Sequence, residues 1–187
     1  MKRAFTIRTA MAAVMVLLSS AAVWAQNPTA SGVINGTLVN KDGITLLFNS
    51  DPQSVTLGGA GTSAASLDFG SISAFGPLAA GVTRPTVTAT NYTVRSLFDI
   101  QVIQGGLTST TYTLQAQLAA AAPTGLSYRV DAITLGTASQ TLQTTATYGV
   151  DIQHSLDLVI LKAAPGAGGP ATGTPLTTTI NFTATAN

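Results

Sequence analysis

The chain has 187 residues, with eight Lys and Arg, seven Asp, no Glu, one His and no Cys. Without thiols it has no disulfide, no thiolate nucleophile and no thiolate metal site. It also lacks the run of Lys or Arg that makes a nucleic-acid patch. Thr, Ala, Gly, Ser and Val dominate, a composition that suits a pleated sheet and offers few surface helix formers.

Residues 1–25 read as an export signal. Lys2, Arg3 and Arg8 form a positive start, an apolar stretch runs from about Ala10 to Leu18, and Val23-Trp24-Ala25 precedes the expected cut before Gln26. The apolar run is shorter than the roughly 20 residues that a membrane-spanning helix needs. Cleavage removes three of the eight basic residues, leaving five against seven Asp, a net charge of −2 for residues 26–187. That segment is expected to be one exported β-sandwich domain, with no membrane span after cleavage.

In chain order, a polar leader at 26–31 precedes GTLVNKDGITLLFN (36–49), which has the pattern of a hairpin turning at Asn40-Lys41-Asp42-Gly43. Asp51-Pro52 interrupts, a short strand is expected at 54–57, and the glycine-rich stretch 58–66 reads as a loop. LDFGSI (67–72) is the next strand, its Gly70 suggesting a bulge or a close backbone approach. A Gly/Pro loop follows at 75–83, and 83–91 is extended, with Pro85 marking an edge strand or a strand start.

The strongest internal strand spans 92–104, with Tyr92, Val94, Phe98, Ile100 and Val102 on one face and Arg95, Asp99 and Gln101 on the other. Tyr112, Leu114, Ala116 and Leu118 alternate in the next. Leu126, Tyr128 and Val130 then slip in phase to Ile133 and Leu135, predicting a bulge near Ala132. Residues 138–147 read as polar and turn-like. In 148–162, Val150, Ile152, Leu156, Leu158 and Ile160 are in phase, a loop is expected at 164–175, and TTTINFTATAN (177–187) closes the chain. That strand alternates strictly, Ile180, Phe182, Ala184 and Ala186 against Thr179, Asn181, Thr183 and Thr185.

Short strands at even spacing, with turn signals between them and no fixed repeat, predict an all-β fold: an antiparallel β-sandwich with immunoglobulin-like or jelly-roll connectivity. Within it, 26–57 is an N-terminal extension and hairpin, and 66–187 is the core. The closing strand is expected within its own sheet beside 148–162, with Ile180 and Phe182 covering Leu156, Leu158 and Ile160. The rival expectation gives an N-terminal segment, 32–40, to a neighbouring molecule.

Chemistry-bearing residues are sparse. His154 is the single histidine and lies in an apolar phase, so a structural role outweighs a base or metal ligand. Glycosidase chemistry needs two facing carboxylates. Here Asp42, Asp51, Asp68, Asp99, Asp131, Asp151 and Asp157 are scattered, although Asp99, Asp151 and Asp157 could meet across strands. Asp42 and Asp51 read as turn residues. No G-x-S-x-G occurs, and the glycines at 58–61 and 166–169 lack what a phosphate cradle needs. The N-x-T triplets at Asn35, Asn91 and Asn181 read as chance in a Thr-rich chain. A Thr stripe at Thr177, Thr179, Thr183 and Thr185 would suit an ice-like surface only if it repeated in register. No catalytic, cofactor-binding or metal residue is assigned, and no cofactor is expected.

Over residues 67–187, LDFGSI, the central alternating strands and the closing TTTINFTATAN together resemble the pilin-like family of spore coat protein U and the chaperone–usher fimbrial subunits. The resemblance implies an exported immunoglobulin-like sandwich, assembled on the cell surface by donating a strand to a neighbour, with no catalytic residues. Two features depart from it: the chain has no Cys where a disulfide is common, and it ends in Ala186-Asn187 where fimbrial subunits often carry a Tyr. The expected function is therefore an exported non-catalytic structural or interaction module of the cell envelope or extracellular surface, pairing with itself or with other envelope proteins through β-strand addition. A carbohydrate-binding or adhesive module is the alternative, and it would need aromatic platforms. The candidates are Tyr92, Tyr112, Tyr128 and Tyr148, three of them in core phase.

Overall fold

Period-two alternation sends one face of each strand into a core and the other into solvent. The computed structural model, which describes residues 29–38, 43–163 and 176–187, has eleven strands, and Ile44–Asn49, Ala64–Ser71, Thr111–Leu118 and Leu126–Val130 among them show that alternation in burial plainly. One sheet contains β1 (Thr29–Leu38), β3 (Ala64–Ser71), β6 (Thr111–Leu118), β9 (Gln140–Thr147) and β11 (Leu176–Ala186), in the order β3-β1-β11-β6-β9. The other contains β2 (Ile44–Asn49), β5 (Asn91–Gln104), β7 (Leu126–Val130), β8 (Ile133–Thr134) and β10 (Asp151–Leu161), in the order β2-β5-β10-β7-β8. Strand β4 (Thr83–Val87) also pairs with β5. The fold is the expected all-β sandwich. Among the described residues no helix is long and apolar enough to cross a membrane.

Strand β5 organises the second sheet. One edge pairs with β10 along Asn91–Gln101, and the other is divided between β4, near its start, and β2, near its end. Its inward residues Val94, Phe98, Ile100 and Val102 are fully buried. Across the sandwich, Phe182 of β11 meets Phe48 of β2 and Phe98 of β5 edge-on, with ring centroids 5.4 and 5.8 Å apart. Such contacts contribute about 0.5–1.5 kcal/mol each beyond the area they bury. These three rings pin the two sheets together.

Two predicted irregularities are present. Gly70 has φ +63°, and the β1–β3 register shifts opposite it, which is the bulge expected there. Pro85 lies where the β4–β5 register shifts, on a strand paired along one edge only.

Other expectations are corrected. Residues 36–49 do not form a hairpin, because β1 and β2 lie in different sheets and the chain crosses between layers. The tip of that turn, 40–42, lies outside the described residues, as does the loop expected at 164–175. Residues 54–57 are irregular rather than a strand. No bulge occurs near Ala132. Asp131 and Ala132 both have positive φ and make a two-residue hairpin turn that joins β7 to β8. Residues 140–147 are a strand, β9, not a turn. The closing strand does belong to its own chain's sheet, but its neighbours are β1 and β6 rather than the 148–162 strand. Alternation fixes which face a strand buries and is silent on which strand lies beside it.

Phe182→Ala should remove about 3–5 kcal/mol of stability in urea unfolding, since it opens a cavity in the ring cluster. Thr185→Ala, exposed on the same strand, should change stability by less than about 0.5 kcal/mol.

Candidate functional site: the slot filled by the first strand

β1 occupies the middle of its sheet. Nine of its residues pair in parallel with β11, and seven pair antiparallel with β3. The β1–β11 pair is the single parallel pairing among the described strands. Over residues 32–36 its inward positions are two glycines and one isoleucine. Gly32 lies opposite Thr178 and Leu67, Ile34 opposite Ile180 and Ala65, and Gly36 opposite Phe182.

The depth of the slot requires glycine at position 36, whereas a Cβ on Gly32 would meet only the Leu67 carbonyl, at an ordinary 3.7 Å. A Cβ on Gly36 would come within 2.7 Å of the Leu46 side chain and 3.0 Å of the Ser63 carbonyl, so β1's backbone presses directly on the facing sheet. Ile34 is fully buried, whereas Val33 on the opposite face is 43% exposed. Beneath β1 remains a void of about 10 Å³, lined by Ile34, Phe69, Tyr128, Leu156, Leu158 and Ile180 among others. An apolar void of that size stays dry. Two backbone ladders hold the strand, and among residues 32–36 Ile34 is the one large side chain turned inward. Ile180 meets Leu156 and Leu158 across this void, from the opposite sheet rather than from a neighbouring strand.

The ionisable residues fall into separate structural contacts. Arg95 grips Asp157 with two hydrogen bonds, Nε to Oδ1 at 2.6 Å and Nη2 to Oδ2 at 2.8 Å, across the β5–β10 ladder. Asp157 is thereby taken away from Asp99 and Asp151. Asp151 accepts from Asn49 Nδ2 at 2.7 Å. Asp51 accepts from its own turn, Gln53 N, and from Gln153 Nε2, and Asp68 accepts from Gly70 N at the bulge. Burial raises the Asp99 carboxyl above its ordinary range, and the negative charges of Asp51 and Asp151 push it further up. Asp51, in the turn after β2, and Asp157 are buried, whereas Asp68 and Asp151 are exposed. Asp42 lies outside the described residues.

His154 is 1% exposed, its ring 5.7 Å from that of Phe98. Its Nδ1 lies 2.6 Å from Asp131 Oδ2, and Asp131 Oδ1 accepts from Ser155 N at 2.9 Å. The partner of this histidine is a carboxylate, brought there by the β7–β8 turn. Burial would raise the Asp131 carboxyl, but the hydrogen bonds from His154 and Ser155 outweigh it and hold it below its ordinary value.

Tyr92, Tyr112 and Tyr128 are buried. Tyr112 packs against Tyr148 with the rings tilted by 41° and their centroids 5.2 Å apart, and burial pushes its hydroxyl up to about 12. None of these three forms an exposed sugar platform. The exposed aromatic is Phe75, which the alternation pattern does not single out; Lys162 Nζ sits 5.1 Å from its ring centre. The Thr stripe of β11 is not continued next door, because Asn181, Thr183 and Thr185 face Gln117, Gln115 and Thr113.

No protein-family model matches the chain, and no curated protein matches it. Among solved structures, the major pilin T-13 of Streptococcus pyogenes is a neighbour at 9% identity. That comparison covers 87% of this chain and 98% of the pilin, with a TM-score of 0.13. At that score the likeness carries no argument about either protein.

The Asp131 carboxyl, depressed in the folded state, contributes stability that is present above its unfolded value near about 4 and is lost as pH falls through the lower folded value. Asp131→Asn should therefore lower stability at pH 7 and flatten the loss between pH 5 and 3, as read by urea midpoints across that range.

Proposed function

We propose that this protein is an exported, non-catalytic structural module of the cell envelope or extracellular surface that assembles by strand addition, β1 of one copy filling the slot between β3 and β11 of the next. The observation that carries this reading is the placement of β1. It is the first described strand, it lies between two others, and the strand that follows it belongs to the opposite sheet. A strand linked to its domain through one short crossing can leave without threading the rest of the fold. An identical slot in a neighbour would return the same ladders and the same Ile34 contacts, so exchange costs little free energy. The signal-like segment 1–25 supports export, and engagement of the ionisable groups in structural contacts favours a role without catalysis.

A chain without cysteine allows a direct test. Val33 and Thr179 are register partners on β1 and β11. Separate Val33→Cys and Thr179→Cys proteins, co-refolded and treated with a short thiol cross-linker, should give a covalent heterodimer that survives SDS. If cross-links form only when both cysteines are in one chain, β1 stays at home and the assembly reading fails.

A further inference from the structure

Of the chain's asparagines, Asn35 alone precedes a glycine. Such a pair is the one most open to ring closure between side chain and backbone, because glycine leaves the attacking nitrogen unhindered and the chain free to turn. The glycine cannot be dispensed with. A Cβ at position 36 would meet Leu46 at 2.7 Å, Ser63 O at 3.0 Å and Phe48 at 3.1 Å. Asn35 sits half-buried on the opposite face of β1, in register with Asn181 of β11 and Ala64 of β3.

Ring closure needs a free backbone nitrogen on Gly36. It also needs a chain that can leave the extended conformation, so that this nitrogen reaches the side-chain carbonyl carbon of Asn35. The slot denies both. Gly36 N donates to Ser63 O at 2.8 Å, Gly36 is paired with Phe182, and Asn35 is held between Asn181 and Ala64. Once β1 leaves the slot, both restraints are gone.

We propose that Asn35-Gly36 is a self-modification site, latent while β1 fills the slot and reactive once the strand is released. Gly36 N gives up its proton and bonds to the side-chain carbonyl carbon of Asn35. The bond from that carbon to the side-chain nitrogen breaks, and ammonia leaves. Water, the one co-reactant, then opens the five-membered imide at either carbonyl, leaving aspartate or isoaspartate at position 35. Aspartate keeps the main chain and puts its carboxylate beside Asn181 and Ala64, with no acid in register. Isoaspartate inserts a methylene into the main chain and displaces everything from Gly36 onward along the ladder, away from the place where Leu46 and Phe48 leave room for it. A copy whose first strand has stayed out long enough is thereby barred from refilling a slot. The reaction requires β1 to leave its slot but not to enter a neighbour's, so it holds whether or not copies exchange strands.

Purified protein held at pH 8 and 37 °C, either folded or unfolded in guanidinium chloride, tests this by fragmentation mass spectrometry. In denaturant, Asn35 should convert to the acid, isoaspartate included, well ahead of Asn91 and Asn181, which precede Tyr and Phe. In folded protein the conversion should be slower by about tenfold or more, because only the open fraction reacts. Asp42-Gly43 can isomerise through the same ring but without a change of mass, so the fragments separate the two positions. Refolded protein carrying isoaspartate at position 35 should exchange the amides of residues 32–36 at unstructured rates, whereas Asn35→Asp should refold with those amides protected. Equal conversion in folded and unfolded protein, conversion led by another asparagine, or protection regained by the isoaspartyl chain would each overturn the proposal.

Discussion

The fold depends on one pairing, the parallel ladder between β1 and β11. Take β1 away and the five-stranded sheet loses its continuity: β3 has no neighbour in the sheet, β11 keeps only β6, and Phe69, Ile180 and Leu158 lie under an open slot. Over residues 32–36 β1 turns Gly32, Ile34 and Gly36 inward, so side-chain burial there is that of one Ile, about 1.5–3 kcal/mol. The ladders provide the rest.

The rest of the core is built to persist beside this slot. Phe48, Phe98 and Phe182 clamp the layers by edge-on contacts, and β5 and β10 share the longest ladder of the second sheet. The few charges act as local fasteners. Arg95 and Asp157 join β5 to β10, while Asp131 joins the β7–β8 turn to His154 and Ser155 on β10. With no disulfide available, these contacts and the ladders hold the sandwich.

Much of this architecture is legible in the residues, and the misses share a cause. Alternation identifies the faces of β5, β6, β10 and β11 correctly, including the burial of Phe98, Ile100 and Phe182, because one side of each is dry. It does not identify the neighbours. The Asn-Lys-Asp-Gly turn signal before β2 is real as punctuation, with Gly43 at φ +88°, yet the chain crosses to the other sheet instead of pairing back. β9 is hidden because it lies at an edge, where most of its residues meet water and apolar alternation is absent. The slip after Val130 resembles a bulge because Ala is an unusual occupant of a left-handed turn position. Asp131, beside it, is held there by His154 and Ser155, which no local pattern announces. For the candidate slot, the small residues of β1 are visible in the sequence, but their meaning requires the sheet order.

Hydrogen exchange resolved by residue on the monomeric protein tests the central claim most directly. If β1 completes the sheet, amides of residues 32–36 exchange as slowly as those of β11 and β3, and Gly36→Val, which cannot fit beneath Leu46, releases all three strands together. Exchange of residues 32–36 at unstructured rates while β11 and β3 remain protected would contradict the account.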